Sequence, residues 1–259
     1  MVDFLDMLAH AAKETLQKGY YKVKTPMTAV PISLKKAILE CKNAAVISEL
    51  KVASPSMGII RRNLDACEVA KAMANSGAVG ISVLTEPKYF HGSLEALIET
   101  RKAVRIPILM KDIIISPEQI EAASQVGANA ILLIQAIFNR GYGECSLGEM
   151  IEKAHSKGIE VLLETHNETE FCAATNTDAD LIGINNRDLT TLKVDLSVTK
   201  RILERNGTMG KIIVSESGIG SPADLCMLRS CGAQAFLIGS AIMLADDITE
   251  KIRAFVKSL

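Results

Sequence analysis

The chain carries no basic surplus. Its 29 Lys and Arg stand against 30 Asp and Glu, a net charge of −1, which argues against a nucleic-acid binder, whose basic residues outnumber its acids and cluster on one face. No stretch approaches the roughly 20 uninterrupted apolar residues that a membrane span requires. The first residues, MVDFLDMLAHAAKETLQKG, mix acids with apolar side chains and lack the basic start and apolar run of a secretory signal. The six cysteines, Cys41, Cys67, Cys145, Cys172, Cys226 and Cys231, form no CxxC pair, and none of the four histidines sits at zinc-finger spacing. Buried free thiols in a reduced, cytoplasmic compartment are the simplest expectation. Neither a GxxxxGK[ST] loop nor a dinucleotide fingerprint occurs, so neither a nucleotide nor a metal is expected as cofactor.

What the chain does have is length and apolar content. At 259 residues with 48% hydrophobic and 23% charged residues, it can bury about three quarters of its unfolded surface without disulfide or metal staples. Eight short apolar runs recur along it: Ala45–Leu50, Val79–Thr85, Pro107–Lys111, Asn129–Ile134, Ile159–Glu164, Asp180–Asn185, Lys211–Glu216 and Gln234–Ile238, starting on average 27 residues apart. Between them lie stretches of helical period such as Ala66–Asn75, Ser93–Val104 and Pro117–Val126. Glycines at 77, 127, 158 and 232 are placed to end helices in the left-handed conformation.

A strand apolar on both faces and followed by a helix belongs to a parallel sheet covered by helices. Eight such units fit a closed (β/α)8 barrel better than an open doubly wound sheet, and such a barrel uses this whole length as one domain. The first 44 residues, with helix candidates at Asp3–Gln17 and Leu34–Cys41, are expected to be an extension packed on the barrel as lid or plug rather than a domain.

In such a barrel, reactive groups gather at the C-terminal ends of the strands. The expected ends carry Glu49 and Lys51, Thr85 and Glu86, Lys111, Glu164, Asn185 and Arg187, Ser217 and Gly218, and Gly239 and Ser240. A charge closing an apolar strand is costly unless paired or solvated, so several together imply one polar mouth holding two lysines and two glutamates. Any one of them alone reads equally well as a rim ion pair or a helix-cap neighbour. Ser-Gly-Ile-Gly after the seventh run and Ile-Gly-Ser after the eighth supply small residues that let backbone N–H groups approach an anion. These loops are a frequent phosphate site in barrels. Cys226 and Cys231 fall in a helical stretch and read as packing residues. His166 follows Glu164 near a strand end, but contact with substrate is the less favoured reading of it.

With these residues in view, ISELKVASPSMG resembles the first-strand signature of indole-3-glycerol phosphate synthase, an E-x-K followed by S-P-S. SVLTEPKYFHGS, IPILMKD, VLLETH, IGINNRDL, SESGI and FLIGSAIM agree with that family in type and order over about residues 40 to 245. The resemblance implies a tryptophan-pathway lyase. It would close 1-(2-carboxyphenylamino)-1-deoxyribulose 5-phosphate to indole-3-glycerol phosphate with loss of carbon dioxide and water, using no cofactor. By motif, Lys111 matches the acid at the sugar carbonyl, and Glu164 the group that assists hydroxyl departure. Glu49 matches a base or lysine partner, and Lys51 the holder of the substrate carboxylate and a second candidate acid. Asn185, Arg187 and Ser217 match orienting positions; Ser54, Phe90 and Leu133 match the anthranilate pocket; Gly218, Gly239 and Ser240 match the phosphate grip.

The chain also departs from the pattern. The family's N-terminal aromatic cover is often Trp, and this chain has none, which leaves Phe4 or Tyr20 for the part. Ile113 stands where Phe is common, and Val52 and Ala53 stand where basic or polar residues are. The neighbouring classes are a phosphoribosylanthranilate-isomerase-like barrel, an aldolase with Lys111 as Schiff base, and a non-catalytic barrel that binds a phosphorylated metabolite. The first would use a Cys–Asp pair in place of the E-x-K strand, and the last would be expected to lack Lys111 or Glu164. The expected partner is a small phosphorylated molecule, with neither nucleic acid nor membrane, and the expected state is a monomer.

Overall fold

The computed structural model describes residues 3–27, 31–54, 57–61 and 64–259. In it the eight apolar runs are β1 (Ala45–Leu50), β2 (Gly80–Leu84), β3 (Ile108–Lys111), β4 (Ala130–Ile134), β5 (Glu160–Thr165), β6 (Leu181–Asn185), β7 (Ile213–Glu216) and β8 (Ala235–Ile238). All pair in parallel with their chain neighbours, and β8 returns to β1 in the register Ala45↔Ala235 to Ser48↔Ile238, closing the barrel. The sequence-derived bounds agree to within two residues.

Both faces of each strand are apolar because each meets a different core. On β4, Ile131 and Leu133 join Ile120, Met150 and other helix residues in the outer layer, while Ala130, Leu132 and Ile134 join Leu109, Leu162 and Leu237. Burying one such leucine contributes about 1.5–3 kcal/mol, so the two layers together fix which face points inward.

Short polar motifs set the loops at the mouth. Ser116 caps the helix Pro117–Gln125 in a capping box with Gln119. The Gln119 side chain also accepts from the Ile115 and Ser116 N–H groups and donates to the Ile113 carbonyl. That cluster pins the segment directly after Lys111. Gly77, Gly127, Gly158 and Gly232 have the positive φ expected of them.

The N-terminal extension touches both ends of the barrel. Helix α1 (Phe4–Gln17) begins in a capping box between Asp3 and Asp6. It is tied to the mouth by Arg140, paired with both Asp3 and Asp6 at 2.7 Å, and by Lys88 on Glu14 at 3.1 Å. Helix α2 (Leu34–Glu40) lies at the floor. Its Leu34 and Lys35 N–H groups donate to the Glu160 carboxylate at the start of β5, and Leu34 lies against Gly80 at the start of β2. Between them, Tyr20 donates to the Thr85 carbonyl at 3.0 Å, and Tyr21 to Asp112 at 3.1 Å.

The cysteines are free, as expected, but they are not buried. Five are half-buried, and Cys226 is exposed with its thiol on the Ser258 carbonyl. The helix Pro222–Ser230 turns Leu225 and Leu228 inward instead, which places residue 226 on its outer face. Among the described residues, no helix is long and apolar enough to cross a membrane.

Candidate active site

Residues that alternate inward on a barrel strand form layers, each supplied by alternate strands. The uppermost layer here comes from the odd strands: Glu49 on β1, Lys111 on β3, Glu164 on β5 and Glu216 on β7. All three carboxylates are at most 2% exposed. The Lys111 ammonium lies among them, at 3.6 Å from Glu164, 3.9 Å from Glu216 and 4.0 Å from Glu49. Lys51, just beyond β1, closes on Glu49 at 2.5 Å. A mouth of two lysines and two glutamates was expected; the structure brings a third glutamate, Glu216, into the same layer.

Three buried carboxylates and two lysines cannot all be ionised without excess negative charge. For Glu49, burial favours the neutral acid, but the charges of Lys51 and Lys111 outweigh it and hold its pKa low. Glu164 meets the same penalty, which Lys111 and then His166 overcome, so it too is held below the ordinary range. Glu216 has no comparable relief. Burial, followed by the negative charge of Glu164, pushes it well above the usual carboxylate range, and Lys111 only partly opposes them. Burial opposes the charge of Lys111, but Glu164, Glu49 and Glu216 raise its pKa on balance. The layer thus favours Glu49 and Glu164 as anions and Lys111 as a cation, while Glu216 is the carboxylate pushed toward its neutral acid.

Two lobes meet at this layer. An apolar lobe of about 80 Å³ is walled by Phe4 and Leu8 of α1 with Leu84, Phe90, Ile113, Leu132, Ile134 and Leu189, and Ser54 at its edge. A second lobe of about 210 Å³ is lined by Gly218, Gly220, Gly239 and Ser240. Lys51, Lys111, Arg187 and Ser217 line both, so cations stand where the lobes join. Asn185 lines the apolar lobe, and its side chain accepts the Arg187 N–H.

One expected wall residue is misplaced. Leu133 packs outward among the helices; the residues that face the apolar lobe are its neighbours Leu132 and Ile134. In Ala-Ile-Leu-Leu-Ile both faces are apolar, so alternation gives no signal for which one closes inward. Of the two candidate covers, Phe4 lines the lobe with its ring edge-on to Tyr89 at 5.6 Å. Tyr20 instead has its hydroxyl committed to Thr85 and the Leu94 N–H. Ile113 does form part of the wall.

The neighbouring strand ends shape loops. Glu86 accepts the N–H groups of Lys88, Tyr89 and Phe90, curling the segment that presents Phe90. Thr85 donates to Asp112 at 2.5 Å. Val52 accepts the N–H groups of Ile60 and Arg61, folding the loop after β1 into a hairpin in which Ala53 and Ser54 pair with Ile59 and Gly58. The last two residues of the Ser-Pro-Ser motif, 55 and 56, lie outside the described residues.

At the end of β7 the chain turns sharply. Ser217 and Gly218 both have positive φ, 64° and 85°, and a Cβ on residue 218 would overlap Val194. Asn186 holds this turn by donating to the Ser215 hydroxyl and to the carbonyls of Glu216 and Ser217. Asn186 is 1% exposed, and it went unnoticed beside Asn185 in the sequence. Glu216 was equally in view inside SESGI, but it read as the last interior strand residue. The signal available was position: Glu216 closes β7 as Glu49 nearly closes β1. His166 lies behind Glu164, 3.1 Å from its carboxylate.

A family model described as indole-3-glycerol phosphate synthase matches residues 6–255. The chain is 44% identical over 232 residues to the indole-3-glycerol phosphate synthase of Methanocaldococcus jannaschii, covering 87% of this chain and 83% of that protein. It is 43% identical over 222 residues to the synthase of Carboxydothermus hydrogenoformans, covering 84% and 82% respectively. Among solved structures, a thiamine phosphate pyrophosphorylase from Pyrococcus furiosus superposes with a TM-score of 0.63 over 87% of this chain and 97% of that one. At 16% identity, that likeness speaks to the barrel fold alone.

Proposed function

This chain belongs to the indole-3-glycerol phosphate synthase family, and from that premise we propose how its charged layer performs the reaction. The activity is that of a carboxy-lyase in tryptophan biosynthesis. It converts 1-(2-carboxyphenylamino)-1-deoxyribulose 5-phosphate to indole-3-glycerol phosphate, carbon dioxide and water. The observation that carries the assignment of roles is the seam between the two lobes, where Lys51 and Lys111 sit with the buried carboxylates.

The aromatic ring of the substrate fits the aliphatic wall of Leu84, Leu132, Ile134 and Leu189 beneath Phe4 and Phe90, where a flat apolar group gains by leaving water. Its phosphate reaches the glycine-lined lobe at Gly218, Gly239 and Ser240, where backbone N–H groups suit an anion. That span leaves the carboxylate near Lys51 and Arg187, and the sugar carbonyl at Lys111. Lys111, a cation crowded by carboxylates, donates as the ring carbon attacks, so that charge developing on oxygen is met by a fixed positive group. Carbon dioxide then leaves and its bonding pair restores the aromatic ring. Glu164, an anion at rest, first takes up a proton and then passes it to the hydroxyl, which departs as water. Glu49, held ionised by Lys51, takes the last proton as the pyrrole ring forms. Asn185 and Ser217 orient the sugar. Lys51 is the alternative donor at the carbonyl, since it faces the same seam.

Phe4 and Leu8 of the N-terminal extension form part of the site's wall, and a monomer is the state we propose for the enzyme. Six unpaired cysteines suit a reducing, cytoplasmic setting. The test is turnover of the substrate followed by indole fluorescence, with Lys111→Ala and Glu164→Gln beside the wild type. Both variants are expected to lose about 10²-fold or more in kcat. Full activity in Lys111→Ala would move the acid to Lys51, and no wild-type turnover would sink the reading.

A further inference from the structure

Ser217 sits in the left-handed region, with φ 64°, although it carries a Cβ. Such a conformation costs free energy and lasts only where its surroundings enforce it. The enforcing group is Asn186. Its side-chain amide donates to the Ser217 carbonyl at 3.1 Å, to the Glu216 carbonyl at 2.9 Å and to the Ser215 hydroxyl at 3.1 Å.

Asn186 is itself held from the other side. Its Oδ1 accepts the Thr199 N–H at 3.1 Å and the Thr199 hydroxyl at 2.8 Å. Thr199 belongs to the first turn of the helix Ser197–Asn206, whose flanking Leu196 supplies no side-chain cap. Asn186 takes that capping place from a distant part of the chain. Both its donor hydrogens and its oxygen are engaged, and the residue is 1% exposed. An amide tied at both ends cannot swing away, so it is a fixed point against which the turn is set.

What it sets is the direction of one peptide group. In a planar trans peptide the carbonyl and the next N–H point opposite ways. The Ser217 carbonyl points at Asn186, so the Gly218 N–H points away from it. Asn186 lines neither lobe of the mouth, whereas Ser217 and Gly218 line the glycine-lined one. The N–H is thereby turned to the lobe and the carbonyl kept out of it. A reversed peptide would present an anion with a carbonyl oxygen in place of a donor. Farther along, Asp224 accepts the N–H groups of Gly220 and Ser221 at 3.0 and 2.8 Å. That hold begins beyond the peptide in question; among the described residues, Asn186 is the donor to the Ser217 carbonyl.

Resting on the reaction proposed above, we propose that Asn186 is a positioning residue for the substrate phosphate: it locks the Ser217–Gly218 peptide with its N–H toward the phosphate oxygens and its carbonyl turned from them. It acts through the backbone and touches no part of the substrate. Its loss removes binding that substrate and transition state share, which raises KM and leaves kcat. One hydrogen bond to a charged group corresponds to about 10–100-fold in affinity.

The experiment measures kcat, KM, the Ki of inorganic phosphate as competitor and the thermal midpoint for wild type, Asn186→Ala, Asn186→Asp and Thr199→Val. Wild-type turnover tests the reaction; the variants test the positioning. In Asn186→Ala, KM and the phosphate Ki are expected to rise about 10–100-fold, with kcat within about threefold. Thr199→Val removes a hydroxyl from the far side of the same asparagine. It is expected to melt lower than wild type while both constants stay within about twofold. Asn186→Asp keeps the volume and the acceptor for Thr199 but has no donor for the Ser217 carbonyl. Its constants should rise relative to wild type as much at about 0.5 M salt, where a charge acting at a distance is screened, as at low salt. Unchanged KM and phosphate Ki in Asn186→Ala overturn the proposal while the reaction stands. An equal rise in Thr199→Val also overturns it, as the mark of general loosening. A wild type without turnover removes the reaction and the proposal with it. Should Asn186→Ala not fold, Asn186→Asp decides by the same two constants.

Discussion

Replacing Lys111 by methionine removes the cation at the centre of the charged layer while keeping the volume of its stem. At an effective dielectric near 20, each ionised pair 3.6–4.0 Å apart contributes about 4 kcal/mol of gross attraction. The pairs with Glu49 and Glu164 are the two counted, because burial pushes Glu216 toward its neutral acid. The net loss is far smaller than the gross figure. The desolvation cost of the ammonium disappears with it, Glu49 keeps Lys51 at 2.5 Å, and Glu164 keeps His166 at 3.1 Å. Breaking a buried ionic cluster by deleting one partner costs about 3–5 kcal/mol, and these remaining partners place the loss at the low end, about 3 kcal/mol. For a chain of this size that lowers the thermal midpoint by roughly 6–12 °C. The deficit must also depend on pH. In the wild type, the depressed pKa values of Glu49 and Glu164 give stability that is present above their ordinary 4.5 and lost as pH falls through their folded values. Without Lys111 those folded pKa values rise, and the carboxylates cost stability as pH increases through them. The gap between wild type and variant is therefore widest at pH 8 and narrows toward pH 5. Differential scanning calorimetry at those two pH values reads it directly. Equal gaps at both, or a Lys111→Met variant more stable than wild type at pH 8, would refute the charge assignment. Activity should fall by at least about 10²-fold in the same variant.

Further outcomes follow from the placement of other residues. Leu132→Ala is expected to raise KM about tenfold, since one wall group of a hydrophobic pocket is worth about 1–3 kcal/mol. Leu133→Ala, packed under the helices, should instead cost about 2–5 kcal/mol of stability with KM unchanged; steady-state kinetics and urea melts of both variants would expose an exchanged pattern. In Gly183→Ala the added Cβ would overlap the Glu216 carboxylate, the movable end of a side chain. The fold should survive within a few degrees while kcat falls about tenfold, and wild-type kcat would show that the position of Glu216 does not matter. Burial raises Asp112 to about 6, against the hydrogen bonds from Thr85 and the Ile113 N–H. A pKa raised on folding gives stability that is full below the ordinary 3.8 and lost as pH climbs through 6. Relative to Asp112→Asn, the wild type should therefore lose up to about 3 kcal/mol between pH 4 and pH 8, and parallel melting curves would remove that assignment.

The recurring apolar runs and helical stretches were enough to specify the barrel, because a strand apolar on both faces and followed by a helix has few ways to bury itself. The strand ends then pointed to Lys51, Lys111, Glu49, Glu164, Asn185, Arg187 and Ser217 as one mouth, and all of them line its two lobes. Local motifs were legible too: the helix-ending glycines depend on neighbours within a few residues.

What closure alone decided is of a different kind. Leu132 rather than Leu133 faces the lobe because the inward face of an all-apolar strand is chosen by its register with neighbouring strands. Glu216 enters the charged layer because β7 sits opposite β3 across the barrel, a distance that no spacing along the chain encodes. His166 lies behind Glu164 because the turn after β5 starts a helix whose third residue, Glu170, draws the ring aside. Asn186 and Tyr21 reach the Ser217 turn and Asp112 only once distant segments have met. Composition and period dictate which groups are buried; the fold dictates which buried groups meet, and so which protons can move.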